Sequence, residues 1–487
     1  MKTKILLGVL SSVFATSIAH AQNSTQANQS SDDASVQTQI NSLKAQISQL
    51  ERKVNQEKNV KNGNDPDSPA AETADVVQEY EEFENTGSRF SGVRNLGVGT
   101  GHEFGLDSEN DGTQLLITAP QLNKDYNLLL TNQFLTRKIG PVSEEGARLQ
   151  ISGTVQASYE ANSKPFGQFV DDVGDYVTED KNDLLAQGEF DMAAEINDWW
   201  TGYLHFYSGT DPGDNVQMEQ AFIVLGNLDK SPTYGSAGLL FLPNGSFYTE
   251  MVSRPLTREM GRSRDTAAVA ATVWDGFGGR IFAYDSERQR ENESNTVETW
   301  GASADYTQAD LFDIDETKVK VGVGYVNDIS GAEGIAASDV LDIHEEIRHY
   351  IPAGDVFARF DYDDLTFFAE YIQYFKSFER TEISYNDHGA RISAGNFEAT
   401  YRFDWGRPSW LTANYGFSRE ALGAQIPEQV FGATYGVHVL KNTVLSFELL
   451  EQINYGDDFA FAASNDDVVI GDNRHNLQFT AQVDVFF

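Results

Sequence analysis

Apolar residues occupy every second position at the end of the chain: Leu477, Phe479, Ala481, Val483, Val485 and Phe487. Between them stand Asn476, Gln478, Thr480, Gln482 and Asp484, and only Phe486 breaks the alternation. Successive side chains of a strand point to opposite faces, so this segment has one apolar and one polar face. The same period appears at 183–197, where Ala186, Gly188, Phe190, Met192, Ala194 and Ile196 oppose Gln187, Glu189, Asp191, Ala193 and Glu195. It appears again at 391–404, where Gly395, Phe397, Ala399, Tyr401 and Phe403 oppose Asn396, Glu398, Thr400, Arg402 and Asp404.

Read throughout, the period predicts strands at 148–160, 183–197, 199–209, 215–227, 234–243, 264–275, 276–286, 296–307, 317–328, 353–363, 365–375, 391–404, 409–419, 429–440, 443–455 and 474–487. Long and short connections alternate between them almost without exception. A sandwich has no reason to do this, whereas an outer-membrane barrel has short periplasmic turns and long extracellular loops. The expected fold is all-β: a transmembrane antiparallel barrel of about 16 strands over 148–487, with lipid outside and water inside. An even strand count leaves both ends of the barrel in the periplasm.

Upstream the texture differs. Met1-Lys2-Thr3-Lys4, the apolar run Ile5 to Ala15 and Ala19-His20-Ala21 read as a secretory signal peptide over 1–21, because a basic n-region, a short apolar core and a small-x-small site define one. No later apolar run approaches the roughly 18 residues of a spanning helix. Residues 22–60 hold a polar, disordered start and then Val36, Ile40, Leu43, Ile47, Leu50 and Val54. Ile40, Ile47 and Val54 fall at a positions, which favours a parallel two-stranded coiled coil, with three strands or a single docked amphipathic helix as alternatives. This periplasmic helical segment, 36–54, is a candidate homo-oligomer contact. An acidic linker occupies 61–87, and 88–147 is expected to be a periplasmic or pore-occluding subdomain.

Charge then narrows the function. Lys+Arg 35 against Asp+Glu 74 gives a net −39, which disfavours nucleic acid and attracts cations. Divalent ions could bridge such a surface to anionic lipopolysaccharide beside the outer-membrane lipid. Twenty Tyr, 31 Phe and 6 Trp are enough for interfacial girdles. A mean hydropathy of −0.41 is compatible with a barrel whose lipid face alternates with a polar lumen. There are no cysteines, so disulfides and thiolate metal sites are excluded. His344, Glu345 and His349 do not make an H-E-x-x-H motif, since the second histidine lies five residues on. No catalytic grouping, cofactor site or metal site is expected.

The inward faces supply the candidate pore-lining residues Glu189, Asp191, Glu195, Arg280, Arg359, Glu398, Arg402 and Asp404, since rings of such charges set the selectivity of a wide barrel. Each could equally pair with a neighbour in a hydrated lumen. The long segment 244–264 carries Arg254, Arg258, Arg262 and Arg264 against Glu250 and Glu259. Folded into the lumen, it would set positive charge against the acidic wall at a constriction; on the surface it would pair with neighbouring acidic loops.

That segment also carries a family resemblance. Phe241-Leu242-Pro243-Asn244-Gly245-Ser246-Phe247, continuing through Met251-Val252-Ser253-Arg254-Pro255-Leu256-Thr257, resembles the "P-F-G-x-F … dPLT" segment of the legiobactin-type (LbtU-like) siderophore porins and of phosphate-selective porin relatives. Asn244 stands where an aromatic is usual, and Arg254 where an acidic residue is commoner. The resemblance implies an outer-membrane β-barrel that takes up ferric siderophore complexes without a plug domain. The alternative is a general, cation-preferring diffusion porin whose coiled coil tethers or oligomerises it.

Overall fold

The computed structural model describes residues 148–163, 182–209, 216–286, 297–309, 317–336, 349–440 and 443–486, except 457, 462–467 and 472, together with short strand pairs at 96–97 with 101–102 and at 169–170 with 176–177. The expected signal peptide, coiled coil and linker lie outside the described residues, as does nearly all of 88–147. His344 and Glu345 lie outside them too.

Sixteen antiparallel strands close into one barrel. They are β1 Arg148–Asn162, β2 Asn182–Asn197, β3 Trp200–Ser208, β4 Gln217–Gly226, β5 Thr233–Phe241, β6 Arg264–Trp274, β7 Phe277–Asp285 and β8 Thr299–Ala309. Then follow β9 Thr317–Val326, β10 Ala353–Tyr362, β11 Leu365–Tyr374, β12 Ser393–Asp404, β13 Pro408–Arg419, β14 Gln429–Leu440, β15 Thr443–Ile453 and β16 His475–Phe486. Each pairs with its neighbours in sequence, and β16 closes on β1 with Asp484 opposite Gln156 and Thr480 opposite Glu160. Every strand named from the alternation is present, with ends shifted by a few residues. Closure leaves no unpaired edge, which is what a backbone surrounded by hydrocarbon requires.

Short turns such as 198–199, 275–276, 363–364 and 405–407 mark one end of the barrel. The other end carries the long connections 163–181, 242–263, 327–352, 375–392 and 454–474, with the shorter 209–216, 286–298 and 420–428. The exterior is apolar. On β16, Leu477, Phe479 and Val485 are exposed, while Asn476, Thr480, Gln482 and Asp484 are buried toward the lumen. On β2, Phe190 and Ile196 face out and Asp191 faces in. Trp199, Trp200, Trp274, Phe277, Tyr306 and Trp405 are exposed around the short-turn end, and Trp300, Tyr371 and Phe375 near the other. Two aromatic belts flanking an apolar band are the signature of a barrel sized to a bilayer.

Candidate functional site

Loop 242–263 follows β5 and folds into the lumen instead of standing above it. Three carboxylates on the inner wall hold it. Glu370 of β11 accepts hydrogen bonds from the backbone N–H groups of Ser246 (2.8 Å) and Phe247 (2.9 Å) and from the Thr257 hydroxyl (2.7 Å). Glu398 of β12 accepts from the Glu250 N–H and the Thr249 hydroxyl, both at 2.7 Å. Glu448 of β15 accepts from the N–H groups of Val252 (2.7 Å) and Ser253 (3.1 Å) and from the Thr434 hydroxyl (2.7 Å). All three are buried, at 2%, 4% and 1% exposure respectively. An irregular loop inside a barrel must have its backbone donors satisfied, since a buried donor left without a partner costs about 1–3 kcal/mol.

Glycines on the inner wall make room for the loop. Gly324 of β9 faces the lumen, and a Cβ there would overlap the carbonyl of Asn244. A Cβ on Gly432 of β14 would meet the flexible end of the Met251 side chain. A β-branched or even an alanine side chain at Gly324 would therefore push against backbone, not against a yielding side chain.

The loop then forms a short helix, α1 Leu256–Gly261, entered through Pro255, whose fixed φ suits a helix start. Helix α2, Glu333–Ala336 in connection 327–352, packs against it. Glu333 donates its backbone N–H to the Arg262 carbonyl (2.9 Å), and Ser263 and Ala332 form a β-bridge. The Glu333 carboxylate accepts from Arg258 Nε (3.2 Å) and Arg262 Nε (2.5 Å). Met260, Ile329, Ile335 and Ile372 close around this junction with 0–1% exposure. The β5–β11 side of the lumen is therefore packed with protein.

The four loop arginines do not act as a set. Arg258 and Arg262 are buried, at 2% and 3% exposure, and clasp Glu333 rather than facing the acidic wall across an opening. Arg264, at the start of β6, lies 3.7 Å from Glu219. Arg254 alone of the four lines the chamber described below. Arg258 and Arg262 form a structural clasp in which one carboxylate, Glu333, partly compensates two buried guanidinium groups. Burial pushes the Glu333 carboxyl up, but Arg258 and Arg262 outweigh it and hold it down at about 2. A depressed carboxyl stabilises the folded state above its unfolded pKa and loses that contribution as pH falls through its folded pKa. The clasp is accordingly expected to hold from neutral pH to about 4.5 and to open between there and about 2. Protease cleavage within 254–264, followed against pH, checks this: wild type gains cleavage only in that acid window, and Glu333→Gln shows it already at neutral pH.

The candidate wall residues are mostly engaged. Asp191 of β2 accepts from Tyr203 Oη (2.6 Å) and lies 2.7 Å from His205 Nδ1. Arg280 of β7 donates to Asp305 (2.6 Å), with Lys320 at 3.8 Å from the same carboxylate. Arg359 of β10 bonds Asp361 (3.0 Å) and stacks 4.4 Å from the Tyr248 ring of the loop. Arg402 of β12 donates to Glu250 (2.5 Å) and to Thr366 (2.8 Å). Glu398 is a loop anchor. Glu189 is half-buried on the inner face of β2, opposite Thr154, and Glu195 pairs in register with Arg148. Asp404 is exposed beside turn 405–407. Outside the lumen, the ring nitrogens of His349 lie 3.1 Å from Glu379 and from Glu382.

Beside the loop, on the side of β1, β2 and β12–β16, is a chamber of about 430 Å³. Its barrel wall is Gln156, Ser158, Glu160, Gln187, Asn396, Asn414, Gln452, Gln478, Thr480 and Gln482. The loop side runs from Thr249 to Leu256 and includes Glu259, and Gln425, Ile426 and Pro427 of connection 420–428 also line it. Sequence reasoning missed the roles of Glu370 and Glu448 and the amide-rich character of this wall. The period-two pattern had placed Gln478 and Gln482 inward, but their neighbours across the barrel depend on the path of the loop.

No family model matches the chain. It is similar to a UPF0422 protein of Coxiella burnetii, with 27% identity over 390 residues covering 77% of this chain and 81% of that one. A UPF0422 protein of Legionella pneumophila (Philadelphia 1) is 25% identical over 410 residues, covering 77% and 74%. Among solved structures, the outer membrane channel DcaP of Acinetobacter baumannii covers 72% of this chain and 99% of its own at 15% identity and TM-score 0.44. The anion-selective porin of Comamonas acidovorans covers 70% and 100% at 10% identity and the same TM-score, 0.44.

Proposed function

We propose that this protein is an outer-membrane porin: a channel through which small polar solutes diffuse. One observation carries the reading. A closed sixteen-strand barrel with an apolar exterior encloses a polar chamber that runs beside an in-folded loop. An apolar outside places the barrel in a bilayer, a polar inside gives solute a path, and the loop narrows that path to one side. The chain acts as a conduit, with no chemical step. Arg254 and Glu259, which lie 3.9 Å apart on the loop, are the charged groups we assign to the narrow point. Purified protein in planar bilayers tests this: stepwise, ohmic conductance is expected, and membranes that stay insulating would contradict it.

Two finer readings concern cargo. Uptake of ferric siderophore complexes is favoured by the resemblance in 241–257, because that segment forms the beginning and middle of the in-folded loop. A general cation preference is favoured by the net −39, but two of the inward carboxylates, Glu398 and Glu448, are engaged with loop N–H groups. Reversal potentials under a salt gradient separate the two, with a strong cation bias supporting the second. The N-terminal segment 36–54 is proposed to face the periplasm and to mediate self-association.

A further inference from the structure

The chamber's chemistry is more specific than a water-filled gap requires. Its carboxylates already accept hydrogen bonds or an ion pair. Glu160 accepts from Gln478 Nε2 (3.1 Å), Glu448 holds the loop N–H groups, and Glu259 faces Arg254. What remains for a solute to meet is a wall of amides. Two of these amides have donors in reserve. Asn396, fully buried on β12, receives Asn414 Nδ2 on its oxygen at 2.6 Å, and its own Nδ2 has no hydrogen-bond partner. Gln425 is held at φ 57 by a tight turn whose N–H bonds the Leu422 carbonyl (2.9 Å), and its Nε2 is likewise shielded and without a partner. Buried donors are costly to leave unmade, and a small side-chain rotation would bring either amide to an acceptor in the chamber. Val252, Pro255, Leu256, Ile426 and Leu450 add an apolar strip to the same lining.

We infer that the chamber is a solute subsite for an uncharged molecule rich in hydroxyl or carbonyl oxygens, held by Asn396 and Gln425 as it passes the loop. The inference rests on the channel reading and adds a substrate class to it. A volume of about 430 Å³ lies within the range of about 300–1,000 Å³ typical of small-molecule sites. The amides donate to the solute's oxygens, the strip covers its C–H faces, and the carboxylates Glu160, Glu259 and Glu448, set against Arg254 alone, disfavour anions. Carbohydrates and charge-neutral iron chelates share this chemistry, whereas strongly anionic complexes do not.

The test uses the full chain in planar bilayers, reading the fractional block of the potassium chloride current by added solute. The probes are maltose, an uncharged ferric tris-hydroxamate and the anionic ferric citrate. Uncharged probes are expected to block at concentrations about tenfold below ferric citrate, with Asn396→Leu and Gln425→Leu each weakening block about tenfold relative to its own open current. Asn396→Ser, which keeps a donor, should retain part of the effect and guards against a packing defect in the leucine variant. Block by maltose alone assigns a carbohydrate, and block by the hydroxamate alone an iron chelate. Equal block by all three probes, or block unchanged in the variants, would overturn the subsite while leaving the channel reading intact. Absence of any conductance would overturn the channel reading and this inference with it.

Discussion

With Glu370, Glu398 and Glu448 all changed to alanine, the reconstituted channel is expected to carry at least about twice the wild-type current per opening, with frequent partial closures. The reason is local. Those three side chains accept bonds from five backbone N–H groups of loop 242–263, on Ser246, Phe247, Glu250, Val252 and Ser253. Without the acceptors, buried donors lose partners at about 1–3 kcal/mol each, and the loop gains by moving to water. The strand ladder around it is untouched, so the barrel should still fold and show a heat-dependent shift on a denaturing gel. A single Glu398→Gln change keeps one carbonyl acceptor and should have a much smaller effect. If the triple variant conducts like wild type, these carboxylates are not what holds the loop across the lumen.

The second large effect concerns which face of β16 meets lipid. Ala481 projects outward between Phe479 and Val483, whereas Gln482 is 6% exposed on the inner face and bonds Asp484 at 3.0 Å. Arginine at a mid-membrane lipid position costs about 2–4 kcal/mol, and lumen positions tolerate it. Ala481→Arg should therefore lower the unfolding midpoint in a detergent-to-bilayer folding titration, by far more than Gln482→Arg does. Equal losses at the two positions would mean that the strand is set one residue out of register, which turns every side chain to the other face.

Strand placement was legible in the sequence because both faces of each strand are specified, one by lipid and one by water. Leu477, Phe479, Ala481 and Val483 could not be exchanged with Gln478, Thr480 and Gln482 without losing that match. The alternation of long and short connections carried the closure. The interior was less legible, since its contacts join residues far apart in the chain. Glu370 lies 124 positions from Ser246, and Glu448 lies 196 from Val252. Nothing in the local pattern of β11 or β15 marks either glutamate as an anchor. One available signal was Gly324, a glycine at an inward strand position, because backbone approaching that closely leaves no room for a Cβ. Arg258 and Arg262 were noticed for their charge, but their partner Glu333 sits in another loop, and only the fold brings the three together.

Because the chain contains no cysteine, single introduced thiols report cleanly on where solute passes. The most direct measurement is the bilayer current of Gln478→Cys and Phe479→Cys proteins before and after a charged, water-soluble thiol reagent. Gln478 lines the chamber and Phe479 faces outward beside it. A channel that runs past the in-folded loop predicts a lasting fall in current for Gln478→Cys and no change for Phe479→Cys. Unaltered current through a Gln478→Cys channel whose thiol is fully modified would contradict it.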